Sequence, residues 1–242
     1  MTIPLWLIIL SWSVTGIGLL CAGVILADIY LGGYRQSMKS WEAVWPITAI
    51  YAGPLALWAY YRWGRPATPQ WQQQHGAPAQ VGLGETAAIE TIPGGAASFI
   101  GHLIAVPIVV GTGVTIAGKG VWPMILLIAV FALPLLIAFE YWSLTQAGQI
   151  RSAGLRLRVA LKISVLAIVA FDTGMGAAML IVAFVLGYPP TTIAFWFVMW
   201  GGLLLGFMTA YPMVRWLLGR GVTEPAESGF ASEMPNESKA RP

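Results

Sequence analysis

The chain has 242 residues, 57% hydrophobic and 10% charged, with twelve Trp and a net charge of +3. A soluble domain needs more polar cover, so composition excludes an ordinary soluble globular protein and indicates the membrane class. The basic residues flank apolar segments rather than forming one phosphate-neutralising face, which argues against nucleic-acid binding.

Six stretches exceed the roughly 18 apolar residues that suggest a spanning helix: 4–27, 44–63, 96–118, 121–144, 161–187 and 191–218. These predict an all-α polytopic membrane protein with about six transmembrane helices. The first has no Lys or Arg before it, so a retained helix is expected instead of a secretory signal. It holds the only cysteine, Cys21, which excludes an internal disulfide and a thiolate metal cluster within one chain. Bulky Leu20 before Cys21 argues against lipidation.

Pro54 falls in the second stretch, and Pro107, Pro134 and Pro212 in later ones, predicting kinks that neighbouring helices can re-satisfy. Residues 64–95, with Pro66, Pro69, Gln72 and Pro78, are expected to be a polar cytoplasmic linker. That divides the chain into two helices (1–63), the linker, a four-helix core (96–220) and a disordered tail (221–242). Six crossings would put ten Lys and Arg on one side and Arg35, Lys39 and Lys119 on the other. Both termini are then predicted in the cytoplasm. Trp45, Trp63, Trp122, Trp142, Tyr188 and Trp216 read as interface anchors.

Gly113–Gly120 fits a phosphate-binding loop except at its last residue, where Gly120 replaces the magnesium-binding hydroxyl. Closing a membrane span, it reads as a turn. In the fifth stretch Asp172, Met175, Gly176 and Met179 share one helix face. Asp172 is either a proton or cation site, with the methionine sulfurs as optional soft ligands, or a buried hydrogen-bonding acid tying helices together. His102 and Glu140 are each about six residues inside the cytoplasmic ends of their spans. At 1.5 Å per residue both lie roughly 9 Å deep, with Asp172 roughly 7 Å deeper, so a His102–Glu140 pair is plausible. Interfacial Glu140 and a satisfied core His102 are the plainer readings. Gly174 with Ala178, and Gly202 with Gly206, have small-residue spacing for helix packing, a role also expected of Gly176.

Three blocks carry a family resemblance: Val44-Trp45-Pro46-Ile47-Thr48-Ala49-Ile50-Tyr51 running on to Gly53-Pro54-Leu55; Phe171-Asp172-Thr173-Gly174-Met175; and Phe195-Trp196-Phe197-Val198-Met199 leading to Gly206-Phe207 and Tyr211-Pro212. Together, over most of residues 40–222, the chain resembles the bacterial integral-membrane family known only as domain of unknown function 4396. The resemblance implies an acid at Asp172 and a histidine at His102. The Cys and Gly that follow that histidine in the family are replaced by Leu103-Ile104-Ala105-Val106. Phe139-Glu140-Tyr141 is similar to a family Phe-Gln-Tyr. No activity comes with the resemblance.

The first functional expectation is transport or permeation of a small solute, proton or metal ion using the buried acid. An accessory or assembly subunit is the second, and a metal or redox protein using His102 and methionines the third. His75, the other histidine, is in the linker, so bis-histidine haem within the membrane would need a second chain or a Met ligand. No cofactor is assigned, and no constellation for an enzyme emerges. The expected partners are the bilayer and a homo-oligomer or membrane-complex subunit.

Overall fold

The computed structural model describes residues 3–147, 150 and 152–220, so the expected 221–242 tail lies outside the described residues. The fold is all-α, and five helices are long and apolar enough to cross a membrane. The first, α1 (Leu5–Tyr30), buries a stripe through Leu7, Ser11, Thr15, Gly18, Ala22 and Ile25 and leaves Trp6, Ile9, Leu20 and others outward. Its Ser11 and Thr15 hydroxyls each donate to the carbonyl four residues back at 2.6 Å, which makes them tolerable in hydrocarbon.

The stretch 44–63 does not cross. It forms α2 (Lys39–Ala52) and α3 (Pro54–Ala59), the latter continued by a π turn, Tyr60–Gly64. Between them Gly53 adopts φ 54° and ψ −127°, a region open essentially to glycine alone. Pro54 then starts α3 with its fixed φ and needs no N–H partner. The chain reverses here: the Trp45 and Tyr60 rings are 5.8 Å apart, whereas a straight helix would separate those residues by about 22 Å. Gly64 packs on the Trp45 indole, where a Cβ would come within 2.5 Å. The tip lies beside the middle of α1, with Gly53 next to Ile17 and Gly18 against the Ile50 carbonyl. At about 21 Å, α2 is too short for a roughly 30 Å hydrocarbon core, so the segment is a re-entrant hairpin. Gly53 N–H still donates to Ala49 O at 2.8 Å, and Gly53 O accepts from Leu57 N at 3.1 Å. A turn at membrane depth is tolerated on those terms. Trp45 and Trp63, expected as interface anchors, are instead buried between the arms.

The hairpin returns the chain to the end it came from. Arg65 pairs with Asp28 at 3.3 Å, Gln36 donates to Gly64 O at 3.3 Å, and Trp41 meets Phe139 edge-on at 5.6 Å. Thus the 31–38 loop, the 65–82 connection, the end of the helix at 121–147, the start of the helix at 153–181 and the end of the helix at 193–219 share one end of the bundle. Leu5, the 113–120 turn and the 187–192 loop share the other. The two ends of the described chain are therefore at opposite ends of the bundle, where six crossings would have put them together. Among the described residues, nine Lys and Arg (Arg35, Lys39, Arg62, Arg65, Arg156, Arg158, Lys162, Arg215 and Arg220) belong to the first, basic end and only Lys119 to the far end. On a Cys21→Ser background, Ser37→Cys and His75→Cys are expected to react with an impermeant thiol reagent from the same face, and Thr115→Cys from the opposite face. Labelling of Ser37→Cys and His75→Cys from opposite faces would restore the six-crossing arrangement.

The helix expected from residue 96 begins earlier. The connection contains the short α4 (Pro69–His75), and α5 (Leu83–Thr112) takes up the last part of the expected linker. Glu85, Thr86, Glu90, Thr91 and Pro93 dilute its hydropathy, but packing buries Thr86 and Thr91. With α6 (Val121–Ala147), α7 (Ala153–Ile181, extended by a π turn Val182–Leu186) and α8 (Ile193–Gly219) it closes a four-helix bundle. Ser152 and Thr192 cap α7 and α8 by accepting from Leu155 N and Phe195 N, each at 3.4 Å. Residues 113–120 make a tight turn closed by reciprocal Ile116–Lys119 backbone bonds of 3.1 Å.

Small residues bring α7 onto α8. A Cβ on Gly174 would meet Leu205 O at 2.6 Å, one on Gly206 the Phe171 ring at 2.6 Å, and one on Gly202 the Met175 sulfur at 2.7 Å. Gly176, expected in the same role, faces open space, because it is two residues from Gly174 and so turned away from α8.

Candidate functional site: a polar axis in the four-helix bundle

On α5, residues 90, 94, 98 and 102 follow one another at i, i+4 and form a stripe facing the bundle interior. Glu90 and Gly94 line an interior cavity of about 30 Å³, enough for one or two waters, with Glu140 of α6, Phe171 of α7 and Val214 of α8. Glu140 and Asp172 have no hydrogen-bond or ionic partner among the described residues. Further along the stripe, Ser98 Oγ is fully buried with no partner. His102 is 1% exposed; its Nδ1 sits 2.8 Å from Ser98 O. That contact assigns the proton to Nδ1, and Nε2 is left buried without a partner.

The facing stripe of α7 matches it. Ser164 is fully buried with its Oγ unpartnered, and Ile168, one turn on, packs with Ala97, Ala132 and Leu136. Asp172, half-buried, follows Ile168 by four residues and so faces the same neighbours. Met175, one further turn on, is fully buried with its sulfur seated against Gly202, so it serves packing. Met179 lines a second cavity, about 240 Å³, at the far end with Lys119, Met124, Tyr188 and Phe195.

These registers change the expected layering. α5 and α7 run parallel and share the Ala97–Ile168 level. His102 is five residues past that level and Asp172 four, so the two differ in depth by about 1.5 Å. Glu140, four residues past Leu136 on antiparallel α6, is about 12 Å nearer the basic end. The His102–Glu140 pair is therefore corrected: His102 shares the Asp172 layer, and Glu140 shares a cavity with Glu90. The cause is the early start of α5, which puts His102 nineteen residues from its beginning instead of six.

Two groups escaped notice in the sequence. Glu90 and Ser98 belong to the i, i+4 stripe ending at His102, a signal that was present but interrupted by the presumed linker. At the basic end, Asp28 accepts from Tyr60 Oη at 2.8 Å and pairs with Arg65, clasping the hairpin to α1. Arg35 forks onto Glu42 at 2.7 and 2.8 Å, ahead of the apolar stretch starting at Val44. Burial pushes the Glu42 carboxyl up, but the Arg35 hydrogen bonds and charge, with Tyr30, outweigh it and hold Glu42 below its usual value. The pair thus stabilises the fold fully above the unfolded glutamate value of about 4.3, and the contribution is lost as pH falls through the folded value. Thermal melts between about pH 6 and pH 3 are expected to show a larger loss for wild type than for Glu42→Gln; parallel losses would count against the pairing.

The fold and axis define a polytopic all-α membrane protein with polar groups aligned inside a helical bundle. The chain belongs to the family described as Domain of unknown function (DUF4396), whose family model matches residues 85–223. That range begins within α5 and takes in the four-helix bundle, whereas α1 and the hairpin, including the 44–55 block of the resemblance, precede it. Comparison with curated proteins and with solved structures finds no match.

Proposed function

We propose that the protein conducts protons across a bacterial inner membrane along the α5–α8 axis, with the basic end in the cytoplasm. The observation that carries this reading is a set of three buried polar atoms on this axis without partners among the described residues: Ser98 Oγ, Ser164 Oγ and His102 Nε2. Orphaned groups of this kind cost about 1–3 kcal/mol each and are normally satisfied by ordered water. Ser164, four residues before Ile168, lies at the depth of the Glu90–Glu140 cavity, and Ser98 and His102 follow towards the far-end cavity, so water on them would extend a file from those acids towards the other end. Asp172 and His102 stand at its middle. A half-buried acid facing the bundle interior, with an imidazole in the same layer, is chemistry suited to proton relay.

The orientation rests on charge: nine basic residues against one among those described fits the positive-inside rule better than the ten against three of six crossings. Other readings have less support. The small-residue faces that suggest an accessory subunit are occupied within the chain by α7–α8 packing. Among the described residues no three His, Cys, Asp or Glu side chains converge for a metal.

Reconstitution in liposomes with an entrapped pH dye and an imposed potassium diffusion potential tests the proposal. Acidification that follows the potential and exceeds the leak of empty liposomes is expected. Equality with empty liposomes at both polarities would overturn it.

A further inference from the structure

Away from the axis, the flank between α6 and α7 holds an apolar groove of about 600 Å³ at the basic end. Leu133, Pro134, Ile137 and Tyr141 of α6 and Gly154 and Leu157 of α7 line it. Gly154 keeps it open, since a Cβ there would meet nothing within 4 Å. From Leu133 to Tyr141 the groove follows about 12 Å of helix, running from the interface into hydrocarbon.

Its mouth is cationic. The Arg156 guanidinium lies 5.5 Å from the ring of Tyr141, and its Nε is buried without a hydrogen-bond partner among the described residues. Arg158, one turn beyond Gly154 on the same helix face, is exposed. Neither arginine is paired with a carboxylate among the described residues. An unpartnered buried guanidinium N–H needs an acceptor, and a guanidinium with no carboxylate at hand favours a net negative one. A lipid-facing apolar channel directly below needs a hydrocarbon chain.

We propose that this groove binds one anionic phospholipid, its phosphate on Arg156 with the exposed charge of Arg158 nearby, and an acyl chain along Leu133–Tyr141. Basic sites at the cytoplasmic side of helix pairs select charged headgroups, with each arginine contributing about fivefold in affinity. The site does not depend on proton conduction.

Native mass spectrometry of detergent-purified protein titrated with phosphatidylglycerol or phosphatidylcholine tests it. One tightly retained phosphatidylglycerol is expected, weakened about fivefold in Arg156→Gln and roughly 25-fold in Arg156→Gln/Arg158→Gln. Gly154→Trp, which fills the groove with both arginines intact, should also weaken retention, and Arg220→Gln should not. Equal retention of the two lipids, or unchanged retention in the double variant, would overturn the proposal. So would displacement of phosphatidylglycerol by millimolar inorganic phosphate, which would identify a soluble-anion site.

Discussion

Asp172→Asn is expected to reduce potential-driven proton flux by at least about 100-fold while leaving the folded yield and the thermal midpoint close to wild type. The magnitude follows from removing the titrating member of a relay, since positioned acid–base groups typically contribute 10²–10⁴ in rate. Asparagine has nearly the shape of aspartate and keeps its hydrogen-bonding capacity, so a purely structural acid would tolerate the change. Asp172 has no ionic partner among the described residues, and its substitution strands no described cation. His102→Phe should block flux to a similar degree, because it removes Nε2 from the same layer while filling the buried space. Ser98→Ala and Ser164→Ala should act more weakly, each removing one hydroxyl while a bridging water can still be held by the other. Undiminished flux in Asp172→Asn would sink the assignment of Asp172 even if the protein conducts. Absence of flux in wild type would sink the conduction reading itself.

Leucine at Gly206 is expected to be the most damaging single change to the fold. Even a methyl there meets the Phe171 ring at 2.6 Å, and that ring is fully buried and backs the inner cavity. Overpacking of this kind costs about 1–3 kcal/mol, occasionally more, and the cavity of about 30 Å³ behind the ring is too small to take it. Gly174→Leu should do as much, because its neighbour is the Leu205 carbonyl and backbone cannot swing aside. Gly176→Ala, on the open side of the same helix, should change stability by less than about 0.5 kcal/mol. Thermal unfolding in one detergent would compare the three. Equal midpoints for Gly206→Leu and Gly176→Ala would show that the α7–α8 contact is not close.

The helical class and all five crossings were legible because a bilayer demands long apolar runs, and 121–144 or 191–218 can be little else. The glycine spacings at 174, 202 and 206 were legible for a similar reason, since close approach leaves a small-residue signature. Direction was not legible. Hydropathy reports that residues 44–63 reside in hydrocarbon but cannot say that Gly53 turns the chain back, and a residue count sees one length, not two halves. The basic residues held the missing sign: Arg35 and Lys39 counted against the majority only because a crossing was assumed. The beginning of α5 was hidden by polar residues whose cost is met through packing. That error in one boundary misplaced His102 by over a dozen residues along its helix and paired it with the wrong acid.

The re-entrant hairpin also gives the molecule unequal leaflets. Beyond Gly53, five helices occupy the bilayer, whereas on the basic side the two arms add two more cross-sections about 10 Å wide. The protein is therefore a wedge, broader in one monolayer. Crowded together, copies would expand that monolayer relative to its opposite and bend the sheet towards it, so local membrane curvature becomes a property of the turn at Gly53.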